Sequence, residues 1–232
     1  ISLSAQHIGW REVHAICAIV TFAAAVLNHL SLRPGLLGEP LSLQSWLAVA
    51  RNPLMLLLLA ITTLQTSGQF ALLTYMDPLT RLRTGSGAEL LALLFLLFGI
   101  CGFIGNLAAA NLAGRIGPLK TSVVFLFSLL IGIAFWSLES PMLATIFASV
   151  AFWGFGFAAF NSMQQARLVA AGPQLSSATV ALNTSALYVG QAVGSGLGGI
   201  LFAREFYSGI GYLSTVFVLL ALLLILPTRN RS

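Results

Sequence analysis

Seven long apolar segments restrict the fold of this chain more than any other feature of its sequence. They cover approximately residues 11–31, 53–75, 88–111, 120–138, 141–164, 176–202 and 208–227. A helix needs about 20 mostly apolar residues to cross the hydrocarbon core of a bilayer. Each segment reaches or approaches that length, and glycine, proline and charged residues separate them. The sequence therefore predicts an all-α integral membrane protein with about seven transmembrane helices.

The composition argues against an ordinary soluble domain. Charged residues make up 7% of the chain and hydrophobic residues 58%, whereas soluble domains carry about 25% charged residues. The net charge of +5 comes from basic residues scattered between the apolar segments, and these form no continuous patch of the kind that binds nucleic acid. We therefore expect the lipid bilayer, and no nucleic acid, as a partner.

The sequence lacks the residue sets that enzymes and metal sites commonly use. His7, His14 and His29 lie in or before the first apolar segment, so none is placed to activate Ser195 as a nucleophile. Cys17 and Cys101 are isolated within apolar segments and show no metal-ligand spacing. We expect no enzymatic activity, no cofactor and no metal.

The basic residues between the segments predict the orientation. If successive segments cross the membrane in alternate directions, seven Lys and Arg residues lie on one side and four on the other. Lys and Arg are enriched in cytoplasmic loops. The side that holds Arg33, Arg51, Arg115, Lys120 and the C-terminus is therefore predicted to be cytoplasmic, in a multi-pass protein of the plasma or bacterial inner membrane.

A short amphipathic segment lies between the first and second apolar segments. In residues 41–51, the side chains of Leu43, Trp46, Leu47 and Ala50 recur at helical spacing and share one face. A short helix lying in the membrane interface fits this pattern. A plain linker is the alternative interpretation.

Uncharged polar residues inside the apolar segments are the candidates for a substrate cavity. No Asp, Glu, Lys or Arg lies in the middle of any segment, which argues against a buried ion pathway in this part of the protein. Thr62, Gln65, Thr66 and Gln69 share one helical face, and amides in hydrocarbon need hydrogen-bond partners. This face is predicted to line a cavity for substrate or water, with hydrogen bonding between helices alone as the alternative.

Glycines at four-residue steps mark the sixth apolar segment. Gly190, Gly194 and Gly198 fall on one helical face, and this spacing allows the backbone of another helix to approach closely. The spacing favours close packing. A flexible hinge for gating is the alternative.

The turn after the third segment resembles a known signature. "LAGRIGPLKT", at 112–121, is similar to the second-half copy of the signature loop of the major facilitator superfamily. Two positions depart from the pattern: Ala110 replaces a glycine, and Gly114 replaces an aspartate that takes part in a gating charge network in the family. The residues that match, or that are common in such copies, are Leu112, Ala113, Arg115, Gly117, Pro118 and Lys120.

Other stretches agree with this resemblance. "GWR" at 9–11 resembles the entry to helix six of the family. "SGQFALLTYMDPL" at 67–79 resembles helix seven of the drug/proton antiporter branch, which includes arabinose-efflux-like and chloramphenicol-efflux-like members. "QARLV" at 165–169 resembles the end of helix ten, and "ALNTSALYVGQAVGSGLGG" at 181–199 resembles helix eleven.

The resemblance implies that the seven segments are helices six to twelve of a twelve-helix fold. Residues 1–31 would then end the N-terminal half with helix six, residues 32–52 would form a cytoplasmic central loop, and residues 53–232 would form the C-terminal six-helix bundle. The rest of the N-terminal half would be a missing partner. The candidates for the cavity between the halves are Thr62, Gln65, Thr66, Gln69, Asn106, Asn161, Asn183 and Gln191.

The resemblance also implies a secondary transporter that works by alternating access. The branch suggests export of small molecules, such as drugs, sugars or metabolites, in exchange for protons. An importer of sugars or metabolites in the same superfamily is one alternative. A seven-helix receptor or scaffold that transports nothing is another.

Overall fold

The computed structural model describes residues 10–31 and 42–230. Three sequence predictions fall partly outside these described residues. They concern Gly9 of "GWR", most of the central loop with Arg33, and the last two residues of the C-terminus.

The described residues form α-helices that confirm the all-α membrane fold. Seven helices are long and apolar enough to cross a membrane, in the order that the sequence predicts. The helices are α1 (Trp10–Ser31), α2 (Leu43–Arg51), α3 (Pro53–Leu73), α4 (Met76–Thr84), α5 (Ala88–Ile116), α6 (Pro118–Ser137), α7 (Leu143–Ala171), α8 (Ser176–Ala203) and α9 (Tyr207–Ile225), with short 3₁₀ turns at Pro173–Leu175 and Leu226–Asn230.

The turn between α5 and α6 is tighter than the sequence predicts. The glycines and proline of "GRIGP" at 114–118 predict a chain reversal that begins at Gly114, but α5 continues through Gly114 to Ile116. The helix ends only at Gly117, whose φ of 84° is accessible to glycine. Pro118 then begins α6, because a first helical position needs no backbone N–H donor. The reversal therefore rests on Gly117 and Pro118.

Two further boundaries differ from the prediction. The fifth span was expected to end near residue 164, but α7 continues to Ala171, because the residues that follow are good helix formers such as Gln, Ala, Arg and Leu. The residues "MDP" at 76–78 predict a turn after the second span, but the short helix α4 begins there. Asp77 lies in its first turn and accepts a hydrogen bond from Arg81 Nε at 2.7 Å, and Gly85 ends it with a φ of 64°.

The core of the bundle lies between α3, α6, α7, α8 and α9. The most extensive packing joins α6 to α7, α3 to α8, and α5 to α7, while α9 packs on α3 and α6. Trp136, Trp153, Phe125 and Phe160 are the largest fully buried side chains in the described part of the chain. By contrast, the described side chains of α1 are exposed except for Val13. The helix α1 thus stands apart from the bundle that α3 to α9 form.

The glycine face of α8 lies against the backbone of α3. A Cβ atom added to Gly190 would lie 2.6 Å from the carbonyl oxygen of Thr63, and one added to Gly198 would lie 2.6 Å from that of Ala71. At Gly194 the added atom would come closer still to the carbonyl oxygen of Ser67. No side chain fits between the two helices at these positions, so α8 and α3 touch backbone to backbone.

Candidate functional site

The polar face of α3 points into the bundle. Thr62, Gln65, Thr66 and Gln69 are each at most 2% exposed. The start of α3 is capped by Asn52, whose Oδ1 accepts hydrogen bonds from the backbone N–H groups of Leu54 and Met55. The four polar side chains therefore lie within the protein, away from lipid.

Three hydrogen bonds organise this polar face. Thr62 Oγ1 donates to Asn183 Oδ1 at 2.9 Å, which joins α3 to α8. Thr66 Oγ1 donates to Gln65 Oε1 at 3.3 Å. Trp153 Nε1, on α7, donates to Gln69 Oε1 at 3.4 Å. Three helices thus contribute polar groups to one buried region.

The two glutamines keep unused donors in this region. Gln65 Nε2 and Gln69 Nε2 are buried and have no hydrogen-bond partner among the described residues. A buried donor without a partner costs about 1–3 kcal/mol, so such donors are uncommon in the packed interior of a protein. The two amide groups can donate to an acceptor oxygen that enters between the helices, such as that of a hydroxyl or carbonyl group.

The remaining cavity candidates do not bond to this group. Asn106 is exposed on α5, and its Oδ1 accepts from Ser162 Oγ on α7 at 2.7 Å. Asn161 is half-buried, and its Nδ2 donates to the carbonyl oxygen of Phe157 in its own helix at 3.1 Å. Gln191 is half-buried on α8, two turns after Asn183. The structure therefore unites Asn183 with the α3 residues, pairs Asn106 with Ser162 of α7 instead, and leaves the Asn161 amide bonded within its own helix.

The signature-loop residues divide between two helices. Leu112, Ala113 and Arg115 belong to the end of α5. Arg115 is exposed, as is Lys120 in the first turn of α6. Gly114 is also exposed, and a Cβ atom there would meet nothing within 4 Å. The residues thus surround a single sharp turn and form no extended loop.

Sequence reasoning missed a polar network at the end of α7. Gln164 Nε2 donates to the carbonyl oxygen of Leu58 at 2.8 Å, which ties α7 to α3. Arg167 Nη1 donates to Gln164 Oε1 at 3.1 Å, and its Nη2 donates to Thr228 Oγ1 at 2.6 Å. The apolar pattern ends near residue 164, which places Arg167 in a loop, whereas the structure buries it in a helix. Trp153 was missed as well, because it carries no sequence signal beyond being aromatic.

Comparison with known proteins identifies a family and several relatives. The model of the family described as Major Facilitator Superfamily matches residues 1–180. The chain is 28% identical to the inner membrane transport protein YdhP of Escherichia coli O157:H7, over 98% of this chain and 58% of that protein. It is 26% identical to a probable sugar efflux transporter of Pasteurella multocida, over 96% of this chain and 55% of that protein.

A third relative is also named as a transporter. The chain is 23% identical to the uncharacterized MFS-type transporter YbcL of Bacillus subtilis, over 93% of this chain and 55% of that protein. The chain therefore spans a little more than half the length of these curated relatives.

Proposed function

Since the chain belongs to the Major Facilitator Superfamily, we propose that it is the C-terminal part of a secondary transporter that exports a small molecule by alternating access. In this proposal residues 1–31 are the last helix of the N-terminal half, residues 32–52 are the central loop, and residues 53–232 are the C-terminal bundle. Two halves of this kind rock about a site near the middle of the membrane. The exposed side chains of α1 fit a helix whose packing partners belong to the other half.

The observation that carries the proposal is the pair of buried amide donors on α3. Gln65 Nε2 and Gln69 Nε2 lack protein acceptors in the described part of the chain, and a polar ligand would supply them. Donors of this type suit hydroxyl and carbonyl oxygens, which sugars and polar metabolites carry in number. Relatives named probable sugar efflux transporters favour the same class of substrate. We propose a hydroxylated small molecule as the substrate, without an enzymatic step.

Proton exchange is the proposed driving reaction. The middle of each described span is free of Asp, Glu, Lys and Arg, so the groups that carry protons would lie in the half that precedes residue 1. We propose that Arg51, Arg115, Lys120 and the C-terminus face the cytoplasm, as the basic bias of those loops favours. On the same side, α2 would lie in the membrane interface, since Leu43, Trp46 and Leu47 are exposed on it.

Substitution of the glutamines in the full-length protein tests the proposed site. We expect Gln69→Leu and Gln65→Leu to weaken transport of hydroxylated substrates by about tenfold, the value of one lost hydrogen bond of about 1.4 kcal/mol. Leucine fills a similar volume and removes an unpaired donor, but it also removes the acceptor of Trp153 Nε1 or of Thr66 Oγ1. Expression and melting temperature are therefore measured beside transport, so that a loss of transport is scored only in folded protein. The matched control is Gln165→Leu, which makes the same change at an exposed position of α7.

The measurement is uptake of a panel of labelled sugars, metabolites and amphiphilic drugs into proteoliposomes under an imposed pH gradient. Inside-out and right-side-out vesicles separate export from import, which is the alternative direction. Unchanged transport of every compound by both glutamine variants would remove α3 from the substrate site. A wild-type protein that moves none of the compounds would favour the receptor or scaffold alternative.

A further inference from the structure

A cavity lies at the end of the bundle where α3, α6 and α7 meet, away from the polar face of α3. Its volume is about 460 Å³. The wall includes Leu54 and Leu58 of α3, the whole α5–α6 turn from Ile116 to Lys120, and the last residues of α7. Most of this wall is apolar. Two cationic side chains, Arg167 and Lys120, provide the charge.

The charge of Arg167 meets only neutral groups among the described residues. Its side chain is 9% exposed, and its bonding partners are the amide oxygen of Gln164 and the hydroxyl of Thr228. No acidic residue of the described part of the chain lines the cavity. Two ion pairs, Arg81–Asp77 and Arg83–Glu139, lie at the opposite end of the bundle. A guanidinium has five N–H donors, so Arg167 keeps donors beyond those that hold it in place.

The beginning of α6 adds to the positive potential. Gly117 gives α6 no side-chain cap, and Pro118 begins the helix directly at the cavity wall. The first turn of a helix carries a partial positive charge and unpaired N–H groups. Lys120, which is exposed and also lines the cavity, lies in that turn. A buried guanidinium, an ammonium and a helix N-terminus therefore face one apolar cavity.

We propose that this cavity binds the phosphate group of an anionic phospholipid. Arg167 would hold the phosphate through paired N–H bonds, the geometry that arginine favours for this group, and Lys120 would contact it from the rim. The apolar wall favours a phosphate that carries acyl chains over inorganic phosphate. The cavity lies where several membrane-spanning helices end, which is the depth of lipid headgroups, and basic pockets between helices suit such headgroups.

Under the proposed orientation, the lipid belongs to the cytoplasmic leaflet. The headgroup would join the α5–α6 turn to α7 and to the 3₁₀ turn that follows α9 through one shared anion. The lipid phosphate would then supply the negative charge that pairs with Arg167 and Lys120.

The test is a lipid titration of the full-length protein in detergent, followed by native mass spectrometry. The probes are phosphatidylglycerol, phosphatidylcholine and inorganic phosphate. We expect phosphatidylglycerol to bind in preference to phosphatidylcholine, and inorganic phosphate at millimolar concentration not to displace it. Lys120→Gln should weaken phosphatidylglycerol binding about fivefold, the effect of one basic residue at an anionic surface.

Arg167→Gln should weaken phosphatidylglycerol binding at least as much. If this buried substitution prevents folding, Lys120→Gln, at an exposed position, still tests the proposal. The matched control is Arg51→Gln, which removes an exposed charge on the same side of the membrane from outside the cavity. Normal lipid binding by Lys120→Gln would overturn the proposal. So would an equal loss in Arg51→Gln, which indicates general surface attraction, or displacement by inorganic phosphate, which indicates a free anion. Because lipid binding is measured without a transport assay, a negative result would contradict the lipid site and would not bear on the proposed transport function.

Discussion

Alanine substitution along the glycine face of α8 gives the sharpest test of how the bundle is built. Gly190, Gly194 and Gly198 are buried against α3. A Cβ atom at Gly190 would lie 2.6 Å from the carbonyl oxygen of Thr63. By contrast, a Cβ atom at Gly196, on the exposed side of the same helix, would meet nothing within 4 Å. One helix therefore offers both the perturbed position and its control.

The expected magnitude follows from these distances. Carbon–oxygen contacts between helices are ordinarily about 3.3–3.6 Å, so α8 must withdraw by about 0.7 Å to accept alanine at Gly190. Overpacking of this kind costs about 1–3 kcal/mol, and the higher helix propensity of alanine returns up to about 1 kcal/mol. We expect Gly190→Ala to lower the free energy of unfolding by about 1–2 kcal/mol. Gly194→Ala should cost more, because its Cβ atom would lie closer to the α3 backbone.

Thermal denaturation of the full-length protein in detergent, followed by size-exclusion chromatography, measures this order. Gly196→Ala should melt at or slightly above the wild-type temperature, Gly190→Ala below it, and Gly194→Ala lowest. A Gly194→Ala variant as stable as Gly196→Ala would refute the packing argument. If these glycines serve instead as a hinge, the alanine variants should keep their melting temperatures and lose transport.

Substitutions at two further sites test other contacts in the bundle. Arg83 Nη1 donates to the carbonyl oxygen of Trp136 at 2.9 Å, and its guanidinium lies 5.0 Å from the centre of the Trp136 ring. Burial lowers the pKa of Arg83, and the charge of Glu139 partly offsets this effect. Arg83→Lys should lower the free energy of unfolding by about 1–2 kcal/mol, and with it the melting temperature. Glu139→Gln removes a 3.6 Å contact at a half-exposed carboxylate. It should lower the free energy of unfolding by less than about 0.5 kcal/mol. Asn183→Leu should cost under about 1 kcal/mol, because the Thr62 hydroxyl loses the acceptor Asn183 Oδ1 but can still donate to the carbonyl oxygen of Leu58 at 3.2 Å. Adding Thr62→Val should then cost little more in the same melting assay.

The sequence predicts the number and order of the spans because membrane solvation is a strong and simple constraint. Seven runs of nearly 20 apolar residues leave few other folds. At the membrane surface this constraint no longer applies, because polar side chains there are solvated by water. A helix can therefore continue beyond its apolar segment. That is why α5 and α7 extend past their apolar segments to Ile116 and Ala171, and why "MDP" at 76–78 predicts a turn where the short helix α4 begins.

The two polar regions differ in how visible they are in the sequence, and the difference has a physical cause. Gln65 and Gln69 contrast with the apolar residues around them in the sequence, so their helical spacing alone identifies an inward face. Arg167 lies near the end of a span, where arginine is common in loops, and only the fold shows that it is buried and bonded to Gln164 and Thr228. Which groups a polar side chain meets depends on the rotation and crossing of separate helices, and local spacing does not encode either. The burial of Arg167 beside neutral partners is therefore visible only in the structure. Its charge points to an anion that the described residues do not supply.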